Sequence, residues 1–434
     1  MKKLGIIITV LVLFSFIPGL IGCGSAPTTP TTPTTPTVSP TSPTTPTTPT
    51  AAFKPIKLKY AFKRQPGPEA LGQPTYYVMW IPAVEAASNG RIKIDSYPAD
   101  SLITEAVAYQ AVPAGVADIA NANPWLGLGF MPLMEFWYLP TLPAVDKAMI
   151  NPIILWFKMY DRYFQKEYES PGIVSLGFMS IGPGIVFTLK KPLTKMEDFK
   201  GVTLRISSVT EGDLLTKLGG LPISMGIADV YESLQKGVVE GGVWNWEGPF
   251  SRKWTELGKP GYFNDVGTFP QTSGSFIINK AVYNGLPKDL QELIVFMNWR
   301  WADLQQMANV DASVSLYQKM AKDAGIGVNI WSDEQKAKLN TEIGMPMWDQ
   351  WVVNMEKKYK RGAEAAEIIK VYKEELAKYI PPKPVPLPPQ LGGDAAAWDR
   401  VWGKPDSTWD RDYKAYPNLI GLRQLEGNEF KSWK

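Results

Sequence analysis

The stretch of sequence that decides the fold covers residues 198–241 and reads DFKGVTLRISSVTEGDLLTKLGGLPISMGIADVYESLQKGVVEG. Its apolar run at 202–206 predicts a strand, and Ser208 with Glu211 forms a capping box that begins a helix. A second helix is predicted over 227–236 and ends at the glycine that follows. Strands that alternate with helices are typical of a mostly parallel sheet with helices on its faces.

The same alternation continues on both sides of this stretch. Apolar or alternating runs predict further strands at 56–60, 91–98, 115–120, 173–178 and 185–189. Farther along, apolar residues recur at helical spacing from 287 to 324, and a helix of that length would run about 55 Å. Because one small lobe is shorter than this, the helix is predicted to span two lobes.

The N-terminal part of the sequence predicts export and membrane attachment. Residues 1–22 read as a signal peptide, with two lysines followed by a short apolar run. Residues 20–23 are Leu-Ile-Gly-Cys and resemble a bacterial lipobox, so Cys23 is predicted to carry a lipid; the alternative is a generic secretion signal with a chance cysteine. Residues 23–52 are rich in Pro and Thr, and the uncharged run at 27–50 predicts an extended tether of roughly 70 Å.

Composition excludes several classes of enzyme and binding protein. The 434 residues carry 45 Lys and Arg against 42 Asp and Glu, whereas nucleic-acid binders normally have a basic excess. Histidine is absent and there is one cysteine, which excludes His-based catalysis, His-ligated metals and cysteine-held zinc or iron–sulfur sites. The sequence contains no nucleophile elbow and no phosphate-binding or dinucleotide-binding glycine loop, so no cofactor is predicted.

Four pieces of the sequence occur in the order of a known family. Pro192, residues 198–205, residues 218–223 and residues 230–241 resemble the solute-binding receptors of TRAP transporters, the tripartite ATP-independent periplasmic carriers of organic acids. The resemblance covers roughly residues 53–379. It implies a two-lobed α/β fold, like that of periplasmic binding proteins, in which both lobes are discontinuous and a long helix crosses both.

The resemblance also implies a domain organisation. Lobe I is predicted to contain residues 53–181 and about 267–298. Lobe II is predicted to contain about 182–266 and about 299–380. The Pro-rich and aromatic residues 381–434 form a C-terminal extension that lies outside the family pattern.

One cation is the leading candidate for ligand contact. Arg205 ends the strand in the quoted stretch, and open α/β sheets bind ligands at such strand ends. A guanidinium pairs with a carboxylate through two parallel hydrogen bonds, and the resemblance implies that Arg205 grips the carboxylate of the ligand. Seven further candidates follow strand ends or lie near the lobe-crossing segment: Trp244, Asn245, Trp246, Asn123, Trp125, Phe187 and Ser180. Val243 stands where some receptors of this family carry a metal-binding glutamate, so no metal is predicted.

The predicted function is that of a receptor and not of an enzyme. The protein is predicted to be extracytoplasmic, to contact the membrane only through the lipid on Cys23, and to deliver an organic acid to the membrane subunits of a TRAP transporter. Aromatic or bulky monoacids are the first choice because tryptophans offer flat apolar walls. Two other interpretations remain open. One is a cell-surface glycan-binding protein or a glycosidase that uses two carboxylates and aromatic platforms, and the other is a receptor for an ABC-type importer.

Overall fold

The computed structural model covers the region in which the globular body is predicted. The described residues are 54–62, 76–140, 155–156, 159–180, 184–258, 261–267, 269, 273–298, 305–377, 394 and 396. The chain divides into two units, Met1–Ala52 and Phe53–Lys434, and all described residues lie in the second. The predicted signal peptide, Cys23, the tether and nearly all of the C-terminal extension lie outside the described residues.

Within those residues the chain forms two sheets and a set of helices. The strands are β1 Ile56–Ala61, β2 Ile92–Tyr97, β3 Ile119–Ala122, β4 Ile173–Ser180, β5 Ile185–Thr188, β6 Thr203–Ile206, β7 Leu221–Ser224, β8 Gly241–Trp244, β9 Tyr262–Asp265, β10 Ser273–Asn279 and β11 Gly327–Ile330. The α-helices are α1 Tyr76–Ala87, α2 Ala108–Ala111, α3 Gln165–Glu169, α4 Val209–Lys217, α5 Val230–Gln235, α6 Gly248–Ser251, α7 Lys280–Gly285, α8 Lys288–Met297, α9 Gln305–Asp323, α10 Asp333–Leu339, α11 Met345–Tyr359 and α12 Gly362–Ala377. In the part of the chain that the structure describes, no helix is both long enough and apolar enough to span a bilayer.

The first sheet belongs to lobe I and has the strand order β2-β1-β3-β10-β4. β1 pairs in parallel with β2 and β3, whereas β10 runs antiparallel to β3 and β4. β3 lies later in the sequence than the predicted strand at 115–120. Its pairing with β10 carries it on to Ala122, which lies opposite Ser275. As a result Asn121 lies inside the strand, one residue before its end.

The second sheet belongs to lobe II and has the strand order β11-β9-β5-β8-β6-β7. β6 pairs in parallel with both β7 and β8, and β5 runs antiparallel to β8 and β9. The chain returns to the first sheet at β10 after forming five strands of the second, and it returns to the second sheet at β11. Both lobes are therefore discontinuous, and the predicted two-lobed α/β fold is confirmed.

The helix that follows β6 begins where the sequence predicts. Ser208 Oγ accepts a hydrogen bond from the Glu211 N–H at 3.2 Å, and the Glu211 carboxylate accepts one from the Ser208 N–H at 3.3 Å. This reciprocal pair satisfies two backbone donors that the first turn of a helix leaves unpaired. The end of α4 is set by Gly219, whose φ of +81° favours a residue without a Cβ.

The second sheet buries apolar side chains on both faces. On β6, Leu204 and Ile206 join the core that contains Leu214 and Leu215 of α4. Successive side chains of a strand point to opposite faces, so Arg205 points to the other face. The core on that face includes Phe187, Trp246, Trp254 and Phe263. A charged side chain thus lies on a face that is otherwise apolar.

The C-terminal helices α11 and α12 pack mainly on lobe I. The sequence assigns about 299–380 to lobe II. Most buried apolar residues of α11 and α12 join the core of lobe I, whereas Met347 of α11 joins the core of lobe II. The ring centroid of Phe136 lies 5.3 Å from that of Trp348, 5.8 Å from Trp351 and 5.1 Å from Tyr372. Aromatic side chains bury large apolar areas, so these contacts hold both helices on lobe I. β11 remains in the sheet of lobe II.

The predicted long helix is described in two pieces. α8 packs into the core of lobe I, where Leu290, Leu293 and Ile294 are buried. α9 packs into lobe II through Tyr317 and Ala321. Residues 299–304 lie outside the described residues, so a single continuous helix over 287–324 stays a prediction. The packing of the two pieces agrees with a segment that passes from one lobe to the other.

Candidate ligand-binding site

Arg205 lies near the end of β6, an interior strand of the sheet in lobe II. Its Cα is paired with that of Gly242 on β8 and with that of Ile223 on β7. The residue is 3% exposed, although arginine is rarely buried in protein cores without a partner. Its side chain lies beside the loop that follows β7 and beside the end of β8. The ends of parallel strands are where open α/β sheets bind ligands.

The guanidinium of Arg205 is held by main-chain oxygens and by an aromatic ring. Its Nε donates to the Met225 carbonyl at 3.2 Å, and its Nη1 donates to the Val243 carbonyl at 3.2 Å. Its central carbon lies 4.8 Å from the ring centroid of Trp244, which is a cation–π distance. These contacts use two of the five N–H donors of the arginine. The others form no hydrogen bond with the residues that the structure describes.

The charge of Arg205 is not neutralised by a contacting carboxylate. No described Asp or Glu lies within ion-pair distance of its guanidinium, and Glu211 is the carboxylate whose charge acts on the pKa of Arg205. Burial lowers the pKa of Arg205, and the charge of Glu211 raises it. An isolated buried charge is costly, so this arrangement favours an anion that enters from outside the chain.

The carboxylate of Glu211 is occupied by the start of α4. It accepts hydrogen bonds from the Ser207 hydroxyl at 2.8 and 2.9 Å and from the Ser207 N–H at 2.5 Å. Glu211 is 1% exposed, and burial raises its pKa whereas the Ser207 hydrogen bonds and the charge of Arg205 lower it. The sequence identifies Glu211 only as a helix cap, because its nearness to Arg205 depends on the angle between β6 and α4.

The indole of Trp244 is fixed between Arg205 and a glycine. A Cβ added at Gly248 would lie 1.7 Å from Cδ1 of Trp244 and 2.5 Å from its Nε1. Asn245 forms the turn between them, because its Oδ1 accepts a hydrogen bond from the Gly248 N–H at 2.9 Å. The turn and the missing side chain therefore position the ring against the guanidinium. The role of Gly248 leaves no signal in the sequence, since this contact is formed by folding.

We expect Gly248→Ala to weaken ligand binding without a direct ligand contact. The new methyl group must displace the Trp244 ring, and overpacking of this kind costs about 1–3 kcal/mol of unfolding free energy. The loss of the cation–π contact should also reduce the affinity for an acid about tenfold. Thermal unfolding and calorimetric titration measure the two effects. Gly129→Ala is the matched control because its Cβ would meet open space, and equal affinities in both variants would contradict this role.

Two of the predicted contact residues lie in the protein core. Trp246 is 2% exposed and stacks on Phe263, with ring centroids 5.4 Å apart and an interplanar angle of 4°. Phe187 is fully buried and packs on Phe263 at 5.3 Å and on Trp254 at 6.3 Å. Both rings lie in the aromatic core on the same face of the sheet as Arg205, where other aromatic side chains surround them.

The remaining candidates lie in lobe I. Asn123 follows β3, and its Nδ2 donates to Glu105 Oε1 at 2.6 Å. Trp125 is 38% exposed, and its backbone N–H donates to the Tyr138 hydroxyl at 3.3 Å. Ser180 is the last residue of β4, where it pairs with Ser273 in β10. The structure thus groups Arg205, Trp244 and Asn245 in lobe II, and it places Asn123, Trp125 and Ser180 at strand ends of lobe I.

The described part of the chain contains no cluster of acidic side chains that could coordinate a metal ion. Among those residues, no three Asp, Glu, Cys or His side chains lie close enough together to hold a metal ion. Val243 uses its carbonyl oxygen for Arg205 and brings no carboxylate to the end of β8. The polar chemistry of the site is therefore that of a buried guanidinium with main-chain and aromatic support.

Comparison with known proteins shows which proteins this chain is similar to. The chain is 29% identical over 197 residues to the uncharacterized protein YiiZ of Salmonella typhimurium, a match that covers 43% of this chain and 55% of YiiZ. The chain therefore spans about half the length of that relative. A TRAP solute-binding protein from Rhodoferax ferrireducens, solved with copurified benzoate, superimposes with a TM-score of 0.65 at 22% identity, covering 74% of this chain and 98% of that one.

A second solved structure shows the same fold. It is a marine metagenome TRAP solute-binding protein specific for aromatic acid ligands, solved with 3-hydroxybenzoate, with a TM-score of 0.63 at 24% identity. The alignment covers 75% of this chain and 99% of that one. Residues 73–353, more than half of the chain, match DctP, the family of bacterial extracellular solute-binding proteins, family 7. The resemblance to the TRAP receptors is thereby confirmed, and the chain belongs to family 7 of the bacterial extracellular solute-binding proteins, which are receptors and not enzymes.

Proposed function

We propose that this protein is the extracytoplasmic receptor of a TRAP transporter and that it binds an organic acid through Arg205. The observation that carries the proposal is the buried guanidinium, which is 3% exposed and has no carboxylate partner among the described residues. A carboxylate that leaves water for a closed cleft needs a paired and hydrogen-bonded cation. Arg205 offers the donors that such a pair requires.

The surroundings of Arg205 favour an acid with a flat or bulky body. Trp244 covers one side of the guanidinium, and an aromatic ring can also contact the apolar part of a ligand. Two of the matched structures are complexes of those proteins with benzoate and with 3-hydroxybenzoate. These points support aromatic monoacids as the first ligands to test for this chain. Delivery to TRAP membrane subunits is part of the same proposal and is supported by the family.

A thermal-shift screen tests this function directly. The panel contains aliphatic and aromatic mono- and dicarboxylates together with neutral sugars, and calorimetry follows on each hit. We expect at least one acid to raise the melting temperature, because a ligand that binds only the folded state stabilises it by mass action. A neutral sugar as the best ligand would support a glycan-binding protein and would contradict the proposal.

We also propose that the chain is anchored to the membrane by a lipid on Cys23. The residues before this cysteine fit a lipobox, and it is the one cysteine of the sequence. In the native host, mature protein should begin at an acylated Cys23 and partition into detergent. Cys23→Ser should release the chain or leave it uncleaved, as measured by intact mass. An unmodified Cys23 in a functional form free of membrane would contradict the anchor.

A further inference from the structure

Lobe I carries a polar side chain at a strand position that matches that of Arg205 in lobe II. Asn121 lies one residue before the end of β3, as Arg205 lies one residue before the end of β6. The hydroxyl of Tyr60 donates to Asn121 Oδ1, which fixes the amide. The Nδ2 group of Asn121 is buried and has no hydrogen-bond partner in the described structure.

A second unpaired donor lies on the same face of the sheet. Trp80 is fully buried, and its Nε1 has no hydrogen-bond partner in the described part of the protein. Its ring lies 5.5 Å from that of Tyr60 and 5.8 Å from that of Phe276. Phe276 on β10 is paired with Asn121 on β3. The unpaired donors of Asn121 and Trp80 therefore both lie beside the aromatic cluster that contains Phe276.

Two unpaired, buried N–H donors near the ends of β1 and β3 need an explanation. Buried polar groups in native proteins are nearly always hydrogen-bonded, and an unsatisfied one costs about 1–3 kcal/mol. The donors of Asn121 and Trp80 therefore each require a hydrogen-bond acceptor. Their position suits an acceptor from a ligand, because the parallel strands β1 and β3 end beside Asn121. Strand ends of this kind are where open α/β sheets bind ligands.

We infer that Asn121, with Trp80 beside it, forms the lobe I part of the ligand site and selects acids that carry a second hydrogen-bond acceptor away from the carboxylate. This inference rests on the proposed function, in which Arg205 holds the carboxylate. Hydroxy acids, keto acids and dicarboxylates belong to the favoured class. A site built to hydrogen-bond a polar group discriminates against an analogue that lacks it, because its donors are then left unpaired.

Matched ligand pairs test the selection on the full-length protein. The pairs are benzoate with 3-hydroxybenzoate, and butyrate with succinate, each titrated by calorimetry. We expect the acid with the second acceptor to bind at least about tenfold more tightly in one or both pairs. Asn121→Asp keeps the shape and the acceptor for Tyr60 but removes the donor, so it should reduce the ratio of succinate to butyrate affinity to about one or below, because the second carboxylate of succinate can only accept. Asn121→Ala should do the same if the aspartate variant does not fold.

The controls separate this inference from the function on which it rests. Asn284→Ala removes an exposed amide from the same lobe and should leave the ratio unchanged. Arg205→Lys should weaken both members of a pair and preserve their ratio. If acids bind through Arg205 but the wild-type ratio is about one, or if the ratio survives both Asn121 variants, the inference fails and the proposed function stands. If no acid binds at all, both fail.

Discussion

Arg205→Ala should weaken the binding of an organic acid at least about a hundredfold and leave the ligand-free protein folded. Removing one member of a buried charge pair typically costs about 3–5 kcal/mol, and about 1.4 kcal/mol corresponds to a factor of ten in affinity. The ligand-free protein loses two hydrogen bonds to carbonyls, one cation–π contact and the attraction between Arg205 and Glu211. It is also relieved of an uncompensated buried charge. Calorimetric titration with any acid from the screen measures the change.

Arg205→Lys separates charge from geometry. A lysine keeps the positive charge, but an ammonium cannot hold Met225 and Val243 and also grip a carboxylate with two parallel bonds. We expect it to recover only part of the lost affinity. Arg91→Ala is the matched control, because Arg91 forms an exposed ion pair with Asp289. An affinity that is the same in Arg205→Ala and Arg91→Ala would contradict the assignment.

Glu167→Ala should lower the free energy of unfolding by about 3 kcal/mol. The Glu167 side chain is 3% exposed and accepts hydrogen bonds from the N–H groups of Leu133 and Met134, each at 3.2 Å. It also accepts one from Nη1 of Arg361 at 2.5 Å, at the turn between α11 and α12. Alanine leaves two buried N–H groups unpaired and removes one of the two carboxylate partners of Arg361, which keeps its ion pair with Glu364. Chemical unfolding measures the loss.

The same carboxyl should make stability depend on pH. Burial raises the pKa of Glu167 to about 7 from an ordinary value of 4.5, although the Leu133 N–H and Arg361 act to lower it. Between these values the folded state binds more protons than the unfolded state, so the free energy of unfolding falls as pH rises and levels off above about 7. Glu167→Gln, which keeps an acceptor and cannot titrate, should lose this slope.

The control for the Glu167 variants is an ion pair on the protein surface. Glu232 and Lys236 form an exposed ion pair at the end of α5, and such pairs contribute little to stability. Glu232→Gln should therefore change the unfolding free energy little and keep the pH slope of the wild type. A slope that is equal in wild type and Glu167→Gln would show that other groups cause it.

Local patterns in the sequence predict the elements around Arg205 well. The capping box of Ser208 and Glu211, the strand that contains Arg205 and the glycine after α4 depend on neighbours within a few residues, and the structure contains all three. The two-lobed fold follows from the order of the motifs along the chain. The sequence predicts these features because interactions between residues that are close in the chain determine them.

Long-range packing decides what the sequence could not predict. Trp244 and Trp246 are two residues apart and equally aromatic, yet one lies against Arg205 and the other stacks on Phe263. The packing of α11 and α12 on lobe I depends on Phe136, which is more than 200 residues earlier. A pattern of apolar residues identifies a buried face but does not say which core buries it.

Native mass spectrometry of the purified protein tests the central claim most directly. Wild-type protein and Arg205→Ala are prepared in the same way from the same host and sprayed under non-denaturing conditions. We predict that wild-type protein retains a small organic acid, identified by its mass after release, and that Arg205→Ala does not. Retention of a neutral sugar, or of the same acid to the same extent by both proteins, would contradict the account.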